Sequence, residues 1–287
     1  MTSLGFVLLS HQNPEQVQRL VRQLNVMYGD PLIVCHHDDR QSTRPKLPGN
    51  VIYVPSVATG WGDFSLVEAL LTCLRVYRST DSPPEWVAFI SGADFPVRMA
   101  PSVLEELRNA RSDVYMDTRL VHPAERADPW VDARLKRYFG YRIWLGHVIP
   151  GVRGRKGTSS VGPQGDIATR LMSPFGEGMS CYAGSQWFTA NQRAVDALLD
   201  GAAELAKLRR RYRWVFCPDE SYVHTILGNR QDMNIDANGH RYIDWGPGHP
   251  KILGVSDLPA IRTSGAWFAR KFDGEDADVL ASLESEL

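Results

Sequence analysis

The chain has 287 residues, a net charge of −1 at pH 7, 43% hydrophobic residues and 23% charged residues. That balance is ordinary for a soluble globular domain with a sizeable core, and it gives no reason to expect nucleic acid as a partner. The start, Met1-Thr2-Ser3-Leu4-Gly5, has no basic stretch and no long apolar run, so neither a signal peptide nor a membrane span is expected, and the default location is cytoplasmic. Cys35, Cys73, Cys181 and Cys217 lie far apart with no C-x-x-C pair, which argues against a zinc site or a disulfide framework.

Gly5-Phe6-Val7-Leu8-Leu9-Ser10 is an apolar run of the length of a buried strand. Asn13-Pro14 opens a helix whose Val17, Leu20, Val21 and Leu24 recur at helical spacing as far as Tyr28. Further strands are expected at Pro31-Leu32-Ile33-Val34-Cys35-His36, Val51-Ile52-Tyr53-Val54, Trp86-Val87-Ala88-Phe89-Ile90-Ser91 and residues 113–116. Helices are expected between them, one capped by Ser65 and carrying Leu66, Ala69, Leu70, Cys73, Leu74 and Tyr77, another over residues 102–109. Strand–helix alternation of this kind predicts an α/β fold, a mostly parallel sheet with helices on both faces. Ligands of such sheets bind beyond the carboxyl ends of the strands, here Ser10-His11, His36-His37-Asp38-Asp39 and Ser91-Gly92-Ala93-Asp94. The His36-His37 and Asp38-Asp39 pairs admit a metal site, but consecutive strand residues face opposite ways, so a nucleotide-facing Asp38 is the stronger reading.

From Arg119 to Lys156 the chain carries nine Lys and Arg against Glu125, Asp128 and Asp132, either a solvated face or the border of an anion site. Residues 118–180 also hold Trp130, Tyr138, Phe139, Tyr141 and Trp144, which suits an ordered insert that shapes a pocket, with a mobile Gly-rich loop at 151–157. A strand is expected at residues 181–189 and a helix at 192–205. Then comes Val215-Phe216-Cys217-Pro218-Asp219-Glu220, which opens a short apolar helix. Pro218 fits a first helical turn, and Asp219 and Glu220 suit the positive end of the helix dipole. Adjacent helical residues diverge by about 100°, so one acid is able to face a cleft while the other caps or holds a loop. No internal repeat or domain boundary is evident, so one domain spans 1–287.

Taken in order, these segments resemble the core-2/I-branching β-1,6-N-acetylglucosaminyltransferase and peptide O-xylosyltransferase family, family 14 of the glycosyltransferases. The residues that carry the likeness are Cys35-His36-His37-Asp38, Trp61-Gly62 through Ser65-Leu66-Val67-Glu68-Ala69, Ser91-Gly92-Ala93-Asp94-Phe95-Pro96, Gly184-Ser185-Gln186-Trp187, Cys217-Pro218-Asp219-Glu220, Tyr242-Ile243-Asp244-Trp245 and Phe268-Ala269-Arg270-Lys271-Phe272. The family's Ser-Pro-Asp-Glu has Cys217 in place of Ser here. The resemblance implies a GT-A-type fold, with a nucleotide-sugar half at 1–117 and an acceptor and catalytic half at 118–287. It implies inverting, metal-independent transfer of a GlcNAc or xylose unit from a UDP-sugar to a hydroxyl of a carbohydrate or glycosylated small molecule.

By the same likeness Glu220 is the general base, and Lys271, with Arg270 a weaker candidate, neutralises the UDP diphosphate in place of a metal. Lys251 or Arg262 is a second cation. Asp38, His11 and Asp94 fall on the donor side, and Trp245, Gln186, Arg137 and Tyr138 on the acceptor side, Arg134 and Lys136 belonging to the same basic run. No cofactor and no metal are expected. Asp276-Ala277-Asp278 is the one Asp-x-Asp and lies in the acidic tail, far from any strand end. Two other readings stand beside this one: a metal-dependent transferase using Asp38, Asp39 and Asp94, or a catalytically silent nucleotide-sugar or carbohydrate-binding protein. The anchor, stem and disulfides of animal relatives are not expected, which suits a soluble bacterial-type member.

Overall fold

A computed structural model describes residues 2–139, 141–143, 159–161, 175, 178–246 and 249–287. About half of the 118–180 insert, including Trp144 and the 151–157 loop, lies outside the described residues. In chain order the elements are β1 (Leu4–Ser10), α1 (Pro14–Tyr28), β2 (Ile33–His37), β3 (Val51–Tyr53), α2 (Ser65–Arg78), β4 (Trp86–Ser91), β5 (Asp94–Pro96), α3 (Ala100–Arg108), β6 (Val114–Leu120), α4 (Pro129–Tyr138), β7 (Tyr141–Ile143), β8 (Ser159–Val161), β9 (Tyr182–Asn191), α5 (Gln192–Leu199), α6 (Ala203–Tyr212), α7 (Tyr222–Gly228), β10 (Ile235–Asp236), β11 (Arg241–Ile243), α8 (Leu258–Thr263), β12 (Phe268–Arg270) and α9 (Ala277–Glu286).

The large sheet runs β10-β6-β9-β4-β1-β2-β3. The chain leaves β1 for β2 and β3, then returns to pair β4 against the other side of β1, both pairings parallel. The ends of β1 and β4 therefore flank a topological switch point, the crevice where open α/β sheets bind ligands. These strands read as continuous apolar runs because both faces are covered. Val7 and Leu9 pack toward α2, and Phe6 and Leu8 toward α1 and β12. A smaller sheet, β11-β12-β5, joins the first through β5, where Arg270 stands opposite Asp94. The 1–117 and 118–287 halves thus share both sheets.

Three local expectations change. The helix expected at 192–205 is two helices, α5 and α6, because Asp200-Gly201 makes a turn in which the Asp200 side chain accepts from Ala202 N at 3.1 Å. The strand expected at 113–116 continues to Leu120, since β9 pairs with it as far as Tyr182. Ser65 does not cap α2: it is the first helical residue, its own N–H is taken by Asp63 Oδ1 at 2.8 Å, and its hydroxyl accepts from Gly60 N. Asp276 caps α9, accepting from Asp278 N and Val279 N. Among the described residues no helix is long and apolar enough to cross a membrane.

Candidate active site

The donor-side candidates gather at the strand ends, but their carboxylates are already engaged. Asp38 is fully buried and accepts from Arg40 Nε at 3.0 Å, Arg40 Nη2 at 2.8 Å, Gln41 Nε2 at 2.9 Å and both the N–H and hydroxyl of Thr59. The Arg40 contact, reinforced by Gln41 and Thr59, holds this carboxyl far below the usual carboxylate range. Asp38 therefore fastens the 38–59 loop to the end of β2. Asp39 pairs with Arg44, and the two histidines tie loops: His36 Nε2 accepts from Val57 N at 3.1 Å, and His37 hydrogen-bonds Ser10 Oγ at 2.9 Å and Ser42 O at 3.0 Å. Among the described residues no three His, Cys, Asp or Glu side chains form a cluster able to hold a metal ion.

Asp94 is likewise sealed. Its Oδ2 accepts from Ser91 N and Ser91 Oγ, and Oδ1 faces Arg270 Nε at 3.3 Å. Arg270 in turn lies over the Trp187 ring at 4.3 Å, and burial lowers its pKa while Asp94 partly restores it. Lys271 follows directly, half-buried, with no ion-pair partner among the described residues. Its backbone is held between Lys251 O and Leu253 N. His11 sits on the same rim: its pKa is lowered first by loss of water around the ring, then by the charge of Lys271. Lys251 carries an ion pair to Asp257 at 2.6 Å, whereas Arg262 is bound to Glu286 and Ser282 on α9. Trp245 is 64% exposed, in a turn that brings Lys251 N to Asp244 O at 2.8 Å.

The turn that carries Glu220 is built rigidly. Cys217 adopts φ 50°, a left-handed conformation uncommon for a residue with a side chain, and its N–H donates to Gly62 O at 3.1 Å. Gly62 has φ +69°, and a Cβ there would stand 2.4 Å from the Phe216 ring. Residues 61–62 are thereby clamped onto Phe216-Cys217, with Trp61 edge-on to Phe216 at 5.1 Å between ring centres. Pro218–Glu220 is a single 3-10 turn, and α7 behind it is buried from Tyr222 to Leu227. Ser221 Oγ locks that junction through Tyr212 OH and Tyr182 O, both at 2.7 Å.

Glu220 is partly open to solvent, and its Oε2 accepts from Arg137 Nη1 at 2.6 Å. Arg137 thus comes to the base candidate itself. Tyr138, expected beside it at the acceptor side, is instead fully buried, its hydroxyl 3.4 Å from Cys217 O, because Val131, Leu135 and Tyr138 form the inward stripe of α4. Asp219, expected to cap or hold a loop, does neither: its Oδ1 is buried without a hydrogen-bond partner. It lines a small pocket with Gln186, Leu9, Phe89 and Val223, which places the turn directly behind the ends of β1 and β4. Gln186 reaches this point because Gly184, two residues earlier, lets β9 and β6 approach closely. A Cβ at 184 would fall 1.8 Å from Asp117 O, where the β6 register shifts. Sequence reasoning missed the Arg137–Glu220 pair and Arg241, the partly buried first residue of β11, which donates toward Phe89 O and Phe188 O.

A turn presenting one partly exposed carboxylate thus stands next to the switch point of a mostly parallel sheet, with an ammonium and an imidazole on the rim. The sequence matches the profile of the Core-2/I-branching enzyme family over residues 4–262. A xylosyltransferase of Ciona intestinalis is 25% identical over 309 residues, covering 94% of this chain and 32% of that protein. A β-1,3-galactosyl-O-glycosyl-glycoprotein β-1,6-N-acetylglucosaminyltransferase 4 of Danio rerio is 21% identical, covering 99% of this chain and 69% of its own length. Among solved structures, mouse xyloside xylosyltransferase 1 in its apo form covers 92% of this chain and 96% of its own at 11% identity and a TM-score of 0.38, too distant for residue-level comparison. The chain spans about a third of the length of the xylosyltransferases it matches. It belongs to the core-2/I-branching enzyme family.

Proposed function

We propose that the protein is an inverting, metal-independent transferase of GT-A type. It moves a xylose or N-acetylglucosamine unit from a UDP-sugar to a hydroxyl of a carbohydrate or glycosylated acceptor. The observation that carries this reading is Glu220: a partly exposed carboxylate, held by Arg137 on a 3-10 turn clamped by its neighbours. In the reaction Glu220 takes the proton from the acceptor hydroxyl as that oxygen bonds to the anomeric carbon. The bond from that carbon to the diphosphate oxygen breaks on the opposite face, its electron pair leaves with UDP, and the configuration inverts. Lys271, with no carboxylate partner among the described residues, stabilises the charge that develops on the diphosphate, and an ammonium is able to do this without a metal. Trp245 offers an exposed indole to the apolar face of an acceptor sugar.

The test is UDP release from UDP-xylose and UDP-N-acetylglucosamine, with EDTA present throughout. Glu220→Gln is expected to lose at least about a hundredfold in rate, as loss of a general base does, with UDP affinity retained. Full activity in that variant removes Glu220 from the chemistry. Activity that vanishes on chelation and returns with manganese points to the metal-dependent reading.

A further inference from the structure

The turn carries two consecutive acids but supplies a cation to only one of them. Arg137 donates to Glu220, while Asp219 Oδ1 has no hydrogen-bond partner and is shut off from solvent, although part of the residue is exposed. The pocket it faces is lined by Leu9 of β1, Phe89 of β4, Leu66 and Leu70 of α2, Val223 of α7 and Gln186 of β9. At about 10 Å³ it has room for one water at most. Of the elements packed there, β1, β4, α2 and α7 present apolar side chains and β9 a neutral amide. The charged groups that act on Asp219 are Glu220, on its own turn, and Arg137, from α4. An ionised Asp219 would be an anion in an apolar void beside a second anion, whereas a protonated one is a neutral hydroxyl donor within the same wall as the Gln186 amide.

We propose that Asp219 is a positioning residue for the base and keeps its proton through catalysis: the neutral carboxyl seats the turn in its pocket and leaves Arg137 wholly to Glu220. When Asp219 ionises, its carboxylate must reach for Arg137 or for water, and either movement displaces Glu220. Burial first, and the neighbouring Glu220 second, push Asp219 up to about 7. The alkaline limit of activity therefore belongs to Asp219. This inference rests on the reading of Glu220 as the base.

The test is kcat for UDP release with UDP-xylose and UDP-N-acetylglucosamine between pH 6 and 8.5, together with an NMR titration of the protein labelled at the aspartate carboxyl carbons. If only the protonated form is active with a pKa near 7, the wild-type rate at pH 6 exceeds that at pH 8.5 by about thirtyfold. In Asp219→Asn, whose amide mimics the neutral carboxyl in shape and charge, that ratio collapses to near one. The titration shows one aspartate carbon moving near neutral pH and absent from the Asn variant. A wild-type rate that stays level to pH 8.5 overturns the proposal, as does an Asn variant with the same alkaline fall. If the variant does not fold, the wild-type titration alone decides: no aspartate changing above pH 5.5 overturns it. Full activity of Glu220→Gln sinks the parent reading, and the positioning claim with it. An inactive Glu220→Gln with no neutral-range aspartate sinks this inference alone.

Discussion

His224 follows the Glu220 turn on α7 and is 1% exposed, with its Nε2 2.9 Å from Ser185 O. Burial lowers its pKa to about 4, and the single carbonyl contact only partly opposes this. A histidine with a folded pKa below its unfolded value of about 6.5 is neutral in the native state and charged in the unfolded state over the interval between them. Its contribution is therefore intact above pH 6.5 and is lost as the pH falls toward 4. Between pH 7.5 and 4.5 the linkage integral comes to about 2.5 kcal/mol, or a fall of roughly 5–10 °C in Tm for a chain of this size. Thermal and urea unfolding at half-unit steps of pH, on wild type and His224→Gln, measure it. Other groups add to the acid loss in both proteins, so the quantity to read is the difference in slope. His224→Gln is expected to be less stable at pH 7.5 but to lose about 2.5 kcal/mol less on acidification. Parallel curves would refute the assignment of this loss to His224.

Gly184→Ala is expected to cost about 3 kcal/mol or more, because its Cβ would overlap Asp117 O at 1.8 Å and the β6–β9 pair cannot part without loss; urea unfolding reads it. Asp276→Ala should cost about 1 kcal/mol through the α9 cap, seen in a thermal melt, and leave UDP release unaltered. Lys271→Ala should weaken UDP binding by about tenfold in calorimetry, the scale of one charge-assisted contact, whereas Arg262→Ala, engaged with Glu286, should leave it unchanged. Equal losses from these two variants would show that the diphosphate does not lie beside Lys271.

The strands of the large sheet were legible because β1, β2 and β4 are apolar on both faces, and that signal does not depend on what lies far away in sequence. The turn at Glu220 was legible through the order of short motifs rather than through its own residues. What stayed hidden was pairing at long separation. Thr59 closes the shell of Asp38 from 21 residues on, in a loop with no periodic pattern, and Arg137 reaches Glu220 from 83 residues away. Tyr138 is a different case. The basic run Arg134, Lys136 and Arg137 drew attention to the outer face of α4, but Val131, Leu135 and Tyr138 already stood at i, i+4 and i+7, the spacing of a buried stripe. Helix phase, applied strictly, would have placed Tyr138 inside.

The buried candidates also act on the site, though at one remove. Asp94 and Arg270 occupy opposed positions on β5 and β12, and Arg270 is held between that carboxylate and the Trp187 ring of β9. Arg241, at the start of β11, reaches Phe89 O on β4 and Phe188 O on β9, and burial lowers its pKa to about 10. Two buried guanidinium groups therefore bind the small sheet to the large one. Each stays charged because its partners are fixed carboxylate, carbonyl and aromatic groups, and an orphaned charge there would cost about 3–5 kcal/mol. The small sheet leads directly into Trp245 at one end and Lys271 at the other, while the large sheet carries His11 and Gln186. The relative placement of these candidate residues thus depends on Asp94, Arg270 and Arg241.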